Sequence, residues 1–403
     1  MELYKKHISD LGKIITGKTP KTSIPDNYGG EIPFLTPSDD LSRKYAPQTN
    51  KTITQLGLNE VKNCLLPIKS VCVSCIGSDL GKVVITNEPT VTNQQFNSII
   101  PNEENDADFI YYLMSVVGKQ LNFLSKTSTA VPIINKTTFS DFEIEIPSIS
   151  NQRKIAEVLS ALDDKIECNR RINDNLEQQA QALFKSWFVA FEPFKDGEFV
   201  ESELGMIPKG WRVKELGEVT TPINEKVKSR KDIKVLSPVT TGELVLSEDY
   251  FTKQVFSDSI AKYIVVKPND FAYNPARINI GSLGINDYNF DGCVSPVYVV
   301  FRCEEEYQFF FDLFRRTQFF KEEVKVRAIG GVRQTLGYKD FSLIKVVYPP
   351  MEIVKIFNCI YSTLLKEKKR NNLENILLSE VRNDILPKLM SGELKVNEIE
   401  NLV

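Results

Sequence analysis

The stretch Gly12–Thr19 (Gly-Lys-Ile-Ile-Thr-Gly-Lys-Thr) satisfies the phosphate-loop pattern GxxxxGKT. Nucleotide binding by such a loop needs an apolar strand before it and a helix after it, so that backbone amides meet the phosphates. Here the stretch His7–Asp10 precedes the pattern, and Pro20 follows it directly. The sequence therefore keeps a phosphate-loop enzyme as an alternative and favours another function.

Two further motifs are incomplete as catalytic or metal sites. Cys72 and Cys75 form one CxxC pair, but a structural zinc needs two more ligands, and the sole histidine is His7. We predict that these cysteines face the core and the edge of a strand. Residues 274–277, Asn-Pro-Ala-Arg, lack the second proline and the aromatic residue of the adenine-methyltransferase motif. We therefore assign no catalytic residue and no metal site, and predict a non-catalytic chain.

Polar loop residues of the kind that read DNA bases are the remaining candidates for chemistry. Asparagine and glutamine pair with adenine edges, arginine forks suit guanine, and lysine suits phosphate. An ordinary solvated surface is the alternative for any one of these residues. The candidate DNA-contacting residues are Thr36, Ser38, Ser78, Lys82, Asn93, Gln94, Gln95, Thr129, Asn274, Arg277, Asn279, Ser282, Arg327, Arg333 and Gln334.

Composition is that of a soluble globular protein with a slightly acidic balance. The 403 residues carry a net charge of −3, which by itself argues against a lone DNA-binding domain. Two basic stretches, 226–234 and 315–333, favour nucleic-acid binding, although either one could be a solvated face. The chain has no apolar run long enough for a membrane span and no apolar segment after its first lysines. Scattered cysteines indicate a reducing compartment, and we expect a cytoplasmic protein.

Short motifs recur in the same order in the two halves of the chain, at offsets between 199 and 205 residues. The recurring pairs are Leu11-Gly12 with Leu216-Gly217, Leu35-Thr36-Pro37 with Leu236-Ser237-Pro238, Gly77-Ser78 with Gly281-Ser282, and Asp141-Phe142 with Asp340-Phe341. Such a diverged long-period repeat predicts two copies of one structural unit. Strand-like runs with helices near 108–123 and 307–323 indicate a mixed fold in each copy.

A long helical stretch follows each globular half. Apolar residues recur at heptad spacing in the first stretch and form a looser stripe in the second. We predict two helices packed as an antiparallel coiled coil, with asparagines that either fix the register of the seam or mark where the helices splay. The predicted seam residues are Ile155, Leu159, Leu162, Ile166, Asn169, Asn173, Leu176, Leu183, Leu364, Leu377, Val381 and Ile385. The fold class is therefore α+β: two mixed α/β domains in tandem repeat, each followed by a long helix. The predicted boundaries are 1–149 for domain 1, 150–190 for helix 1, 191–209 for a connector, 210–349 for domain 2, 350–391 for helix 2 and 392–403 for a tail.

The whole chain resembles the specificity subunit of type I restriction–modification systems. The resemblance rests on GKTPKTSIPDNYGGEIPFLTPSD, IGSDLGKVVITNEPTVTNQQFNSI, IPSISNQRKIAEVLSALDDKIECNRRINDNLEQQAQALFKSWF, ELGMIPKGWRVKELGEV, NPARINIGSLGI, DGCVSPVYVVF and ILPKLMSGEL. It implies two target-recognition domains that each read one half of a split site in double-stranded DNA. It also implies a helical spacer that docks two methyltransferase subunits, joined by restriction/translocase subunits.

The resemblance further implies that S-adenosylmethionine, ATP and Mg²⁺ belong to those partner subunits and not to this chain. One departure concerns the second helix, whose polar middle and irregular apolar stripe make its seam with the first helix harder to place. A stand-alone DNA-binding regulator is the other alternative. Such a regulator would not co-purify with a methyltransferase, whereas a phosphate-loop enzyme would bind ATP through Lys18.

Overall fold

The computed structural model of the protein describes residues 1–45, 48–125, 132–251, 256–257, 259–328 and 335–395. The chain forms two compact units, one made of Met1–Arg171 with Asn371–Val403 and the other of Ile172–Arg370. Each unit therefore contains one globular domain together with part of each long helix. None of the helices in these ranges combines the length and apolarity that crossing a membrane requires.

The first unit begins with a mixed domain. Its strands are β1 (Tyr4–His7), β2 (Gly12–Thr16), β3 (Tyr28–Leu35), β4 (Thr52–Ile53), β5 (Leu65–Leu66), β6 (Val71–Ser74), β7 (Val83–Ile85), β8 (Thr90–Thr92), β9 (Phe96–Pro101) and β10 (Glu143–Ile146). Its helices are α1 (Gln55–Glu60), α2 (Ala107–Ser125) and α3 (Lys136–Ser140), and they are followed by the long helix α4 (Ile149–Phe188).

The second unit repeats this plan. Its strands are β11 (Phe199–Ser202), β12 (Gly205–Pro208), β13 (Arg212–Glu215), β14 (Thr220–Ile223), β15 (Lys234–Pro238), β16 (Leu244–Leu246), β17 (Ile264–Val266), β18 (Phe271–Tyr273), β19 (Leu283–Ile285), β20 (Gly292–Val294), β21 (Val299–Cys303) and β22 (Lys345–Tyr348). Its helices are α5 (Leu216–Val219), α6 (Ser247–Tyr250), α7 (Gln308–Phe314), α8 (Gln318–Arg327) and α9 (Tyr338–Phe341), and the long helix α10 (Met351–Ser391) follows.

The sheets confirm the predicted repeat. One four-stranded sheet has the order β2-β9-β6-β7 in the first unit and β14-β21-β18-β19 in the second. The other has the order β4-β3-β8-β5 in the first unit and β16-β15-β20-β17 in the second. In both units the middle pair of this second sheet, β3 with β8 and β15 with β20, is parallel. A two-stranded ladder, β1 with β10 or β13 with β22, joins the start of each domain to its end.

Each core is built between a sheet and helices. In the first unit, α2 packs its apolar face on β6 and β7, and Ile155 and Leu159 of α4 join the same cluster with Leu386 and Leu389 of α10. In the second unit the cluster is aromatic, because Phe184 and Phe188 of α4 pack with residues of α7 and α10. Burial of these apolar side chains stabilises each domain against the long helices.

The two long helices run antiparallel within each unit, as predicted. In the first unit Asp163 pairs with Arg382. Further along α4, Asn169 donates to Asn375 at 3.0 Å and to Glu374 at 2.8 Å. The residue numbers rise along α4 as they fall along α10, so the helices are antiparallel. Asn169 is buried, and its amide contacts α10. Ile155, Leu159, Ile166 and Asn173 are also buried, and Leu162, Leu176, Leu183, Leu364 and Ile385 are partly buried.

The predicted seam positions Leu377 and Val381 are wrong. Their side chains are 53% and 49% exposed. The side of α10 that faces α4 in the first unit instead presents Asn371, Asn375 and Arg382, which are polar. The apolar spacing in this part of α10 marks its outer face, because the inner face here contacts α4 through hydrogen bonds and an ion pair.

The connector after α4 is also more ordered than turn formers alone predict. A 3₁₀ turn at Glu192–Phe194 precedes the hairpin of β11 and β12. The ring of Trp211 lies 5.4 Å from that of Phe191 and 5.1 Å from that of Phe194. Aromatic contacts therefore fix this segment within the second unit.

Candidate nucleic-acid interface

The candidate loops of the first domain meet at one edge of its sheet. Because β3 and β8 are parallel, Thr36 and Ser38 follow one strand where Gln94 and Gln95 follow the other. The loop after β6 comes to the same place, since Cys75 donates its backbone N–H to the Gln95 carbonyl at 2.7 Å. Ser78 and Lys82 lie in that third loop, so the structure brings these predicted residues together.

Some of these side chains hold the loops and do not face solvent. Asn93 is buried and donates from its amide to Gln95 Oε1 at 2.9 Å, while its own Oδ1 accepts from the Gln95 N–H. The structure therefore contradicts a DNA-contacting role for Asn93 and assigns it to shaping the loop. Ser38 and Gln94 are exposed, whereas Lys82 is exposed but forms an ion pair with Asp79 at 2.6 Å.

The phosphate-loop alternative is wrong. Gly12 to Thr16 form strand β2, which pairs along its whole length with β9. Gly17 is packed so closely that an added Cβ would lie 2.2 Å from the Asn93 carbonyl oxygen. No helix begins at Lys18, and Thr19 donates to Gln94 Oε1 at 2.6 Å. The strand leaves no turn of free amides that could surround a phosphate.

The two cysteines of the CxxC pair both face the core, and neither lies at an exposed edge. Cys72 lies on β6 and Cys75 directly after it, and both are buried. Burial raises the pKa of Cys72 to about 12 and that of Cys75 to about 11. Both thiols are therefore held in the neutral form that suits a core. Within the described residues no cluster of histidine, cysteine and acidic side chains is arranged to hold a metal.

The candidate loops of the second domain also converge. Asn274 accepts from the Ala276 N–H through its Oδ1 at 3.0 Å, which forms an Asx turn, and Arg277 follows in the same loop. Ser282 is buried and donates to the Pro238 carbonyl at 2.7 Å, so it ties this loop to the one after β15. The structure thus contradicts a DNA-contacting role for Ser282 and assigns it to positioning Arg277 and Asn274.

The remaining predicted residues are distributed as follows. Asn279 is partly buried beside the loop that contains Thr240. Arg327 ends α8 and forms an ion pair with Glu323 at 2.8 Å. Thr129, Arg333 and Gln334 lie outside the described residues.

In the basic stretch 315–333, Arg315 is buried and Arg316 is partly buried. Arg315 donates to Asp312 at 2.5 Å and to the carbonyls of Leu283 and Gly242 at 2.7 and 2.9 Å. Arg316 contacts Asp312 at 2.7 Å and also Glu177 of α4. The alternative of a solvated face is therefore wrong for these two residues, because they connect the segments at Gly242 and Leu283 to helix α4.

Glu177 is the point where this network reaches both long helices. It binds Arg316 of the domain and, at 3.0 Å, Lys368 of α10. Burial alone would raise the pKa of Glu177, but the charges of Arg316 and Lys368 lower it to about 2. The carboxylate therefore stays ionised at neutral pH and holds the domain to the helices.

The first unit has a corresponding connection built from other residues. Tyr112 of α2 donates to Asp163 of α4 at 2.6 Å, and Asp163 also binds Arg382 of α10. Lys44 donates to Ser160 at 2.8 Å and pairs with Asp108 at 2.8 Å. In each unit, the globular domain and both long helices are thus joined by partly buried polar contacts.

The sequence did not predict a cleft of about 360 Å³ that lies in the second domain beside Asn274 and Arg277. Its walls include Thr240, Ser295 and Tyr298. Extending the repeat would have found Ser295, because it follows β20 as Asn93 follows β8. The cleft adds neutral polar and aromatic groups to the loop cluster.

The protein is thus of a class with two similar domains in tandem. Each domain presents polar loops at one edge of a sheet, and each contacts the two long antiparallel helices. The model of the type I restriction modification DNA specificity domain matches residues 2–178. The MjaIX specificity subunit of Methanocaldococcus jannaschii is 30% identical over 98% of this chain and 94% of that protein. The chain belongs to the family of type I restriction enzyme specificity subunits.

Two further comparisons agree with that assignment. The HindI specificity subunit of Haemophilus influenzae is 37% identical over 42% of this chain and 38% of its own. The crystal structure of the specificity subunit from M. genitalium has a TM-score of 0.56, with 15% identity and 96% of both chains covered, so it shows the same fold.

Proposed function

We propose that this chain selects the target of a type I restriction–modification complex by reading a bipartite site in double-stranded DNA. Each domain reads one half of the site, and the two long helices set the gap between the halves. The observation that carries the proposal is the repetition of one sheet topology with different loop residues: Gln94 and Gln95 stand at the edge in one domain, Arg277 and Asn274 in the other. Unlike loops imply unlike half-sites.

Catalysis in this proposal belongs to partner subunits. The chain is a targeting subunit, two methyltransferase subunits modify the DNA with S-adenosylmethionine, and restriction/translocase subunits use ATP and Mg²⁺. A slightly acidic chain is compatible with this role because partners can enclose the duplex and supply positive surface.

The outer face of α10 supports docking of a methyltransferase subunit. Leu373, Ile376, Leu377 and Val381 are 59%, 56%, 53% and 49% exposed and lie on successive turns within the first unit. Four large apolar side chains on one exposed helix face are typical of a protein–protein contact. The proposed docking stripe consists of these four residues.

Exchange of the second domain tests the division into two readers. The ladder pairs Arg212 with Tyr348, so the two ends of residues 210–349 lie side by side and the segment can be exchanged as one module. Replacing it with the matching domain of a relative that has a different target should change one half-site and leave the other and the gap unaltered. Methylome sequencing reads the result, and a change in both half-sites, or in neither, would contradict the proposal.

A further inference from the structure

The cleft in the second domain lies against the loops that the proposed function assigns to DNA reading, and the inference below rests on that function. Its volume is about 360 Å³, and its described lining combines aliphatic side chains with aromatic and neutral polar ones, among them Tyr250, Tyr298, Asn274 and Thr240. Arg277 is the one charged side chain among those lining residues. A single guanidinium among neutral groups can direct specificity without competition from a neighbouring carboxylate.

Arg277 differs from most other arginines of its unit in having no acidic partner among the described residues. Arg230, Arg302, Arg315, Arg316, Arg327 and Arg370 all form ion pairs with aspartate or glutamate. Arg277 is exposed and lines the same cleft as Tyr298. Its hydrogen-bond donors therefore remain available for a ligand.

The backbone that carries Arg277 is fixed on both sides. Its N–H donates to the Asn274 carbonyl at 2.9 Å, and its own carbonyl accepts from Ile280 and Ser282, both at 3.1 Å. Leu336 donates to the Pro275 carbonyl at 3.0 Å and anchors the turn from the other side. A side chain that discriminates base edges needs such a rigid support, whereas a phosphate contact tolerates a mobile one.

From this combination we infer that Arg277 reads a guanine in the half-site of the second domain. The guanidinium presents two parallel N–H groups that match the O6 and N7 acceptors of guanine in the major groove. No other base pair offers two acceptors on one base in that groove. Arg277 is thus a specificity-determining residue, and Ser282 and Asn274 position it.

Methylome sequencing of strains carrying Arg277→Ala tests the inference in the complete complex. One guanine of the second domain's half-site should become degenerate, while the first half-site and the gap stay unchanged. Arg212→Ala is the matched control, because Arg212 is an exposed arginine on β13, away from the cleft. An unaltered motif, or degeneracy at a base other than guanine or in the other half-site, would overturn the inference.

A binding measurement keeps the inference testable if the variant methylates too little DNA. The purified wild-type complex is titrated with duplexes in which each guanine of that half-site is replaced in turn by 7-deazaguanine, which lacks the N7 acceptor. One replacement should weaken wild-type binding by roughly 5- to 100-fold and leave binding of the Arg277→Ala complex unchanged. Equal sensitivity of both complexes at every guanine would refute guanine reading, whereas failure of the proposed function would leave the wild type without any site preference.

Discussion

Replacing Asp312 with alanine should lower the free energy of unfolding of the second unit by about 3–5 kcal/mol, because it leaves two guanidinium groups without their common carboxylate. The side chains of Asp312 and Arg315 are only 7% and 6% exposed, and their closest contact is 2.5 Å. Arg315 also holds the carbonyls of Gly242 and Leu283. We therefore expect the recognition loops of this domain to loosen together with the core.

Tryptophan fluorescence during denaturant unfolding measures this effect in the intact chain. Both tryptophans, Trp187 and Trp211, belong to the second unit and report on it alone. The control is Glu225→Ala, which removes a half-exposed pair with Lys267 at 3.2 Å and should cost less than about 1 kcal/mol. A loss below about 1 kcal/mol for Asp312→Ala would show that the network does not support the unit.

Placing glutamates at Leu377 and Val381 should abolish docking of the methyltransferase and, with it, methylation at every target site. Two carboxylates buried in an apolar contact are expected to weaken the complex by at least about 100-fold, or about 3 kcal/mol. Both positions are half exposed, so the thermal stability of the isolated chain should hardly change. Co-purification and methylome sequencing measure the two consequences.

The matched control places glutamates at Val200 and Met206, which are 39% and 56% exposed on the hairpin of the connector. That variant should co-purify with the methyltransferase as the wild type does. Normal assembly of the Leu377 and Val381 variant would contradict the proposed docking stripe.

The repeat and the first long helix could be predicted from the sequence, whereas the middle of the second long helix could not. The repeat was readable because it preserves backbone requirements: Gly77 and Gly281 both adopt positive φ, at 88° and 98°. The seam of the first helix could be predicted because it is apolar near the first domain, at Ile155 and Leu159. The second helix was predicted wrongly at Leu377 and Val381, since its inner face is polar in this part and depends on partners such as Asn169 and Asp163 that no local pattern identifies.

The candidate site was predictable only in part, for a related reason. Loop residues at strand ends can be found from periodicity, and Arg277, Asn274 and Gln94 lie where expected. Whether a polar side chain faces solvent or supports a loop depends on tertiary contacts, which is why Asn93 and Ser282 were misassigned. The predicted helix 307–323 likewise divides into α7 and α8, because the Thr317 side chain caps a new helix by accepting from the Phe320 N–H at 3.2 Å.

The spacing of the two half-sites tests most directly whether the two long helices set the gap between two separate readers. Four helix-forming residues would be inserted between Arg171 and Ile172 in α4 and between Arg370 and Asn371 in α10, where each helix passes from one unit to the other. The insertion lengthens each helix by about 6 Å and rotates it by about 40° relative to a full turn. At about 3.4 Å per base pair, this corresponds to one or two base pairs.

Methylome sequencing of a strain with both insertions, beside one with four residues added in the connector at Gly197, reads the outcome. We expect both half-sites to stay the same and the gap to grow by one or two base pairs, with no change in the connector strain. Retained methylation with an unchanged gap would contradict the role of the helices as the spacer between two separate readers.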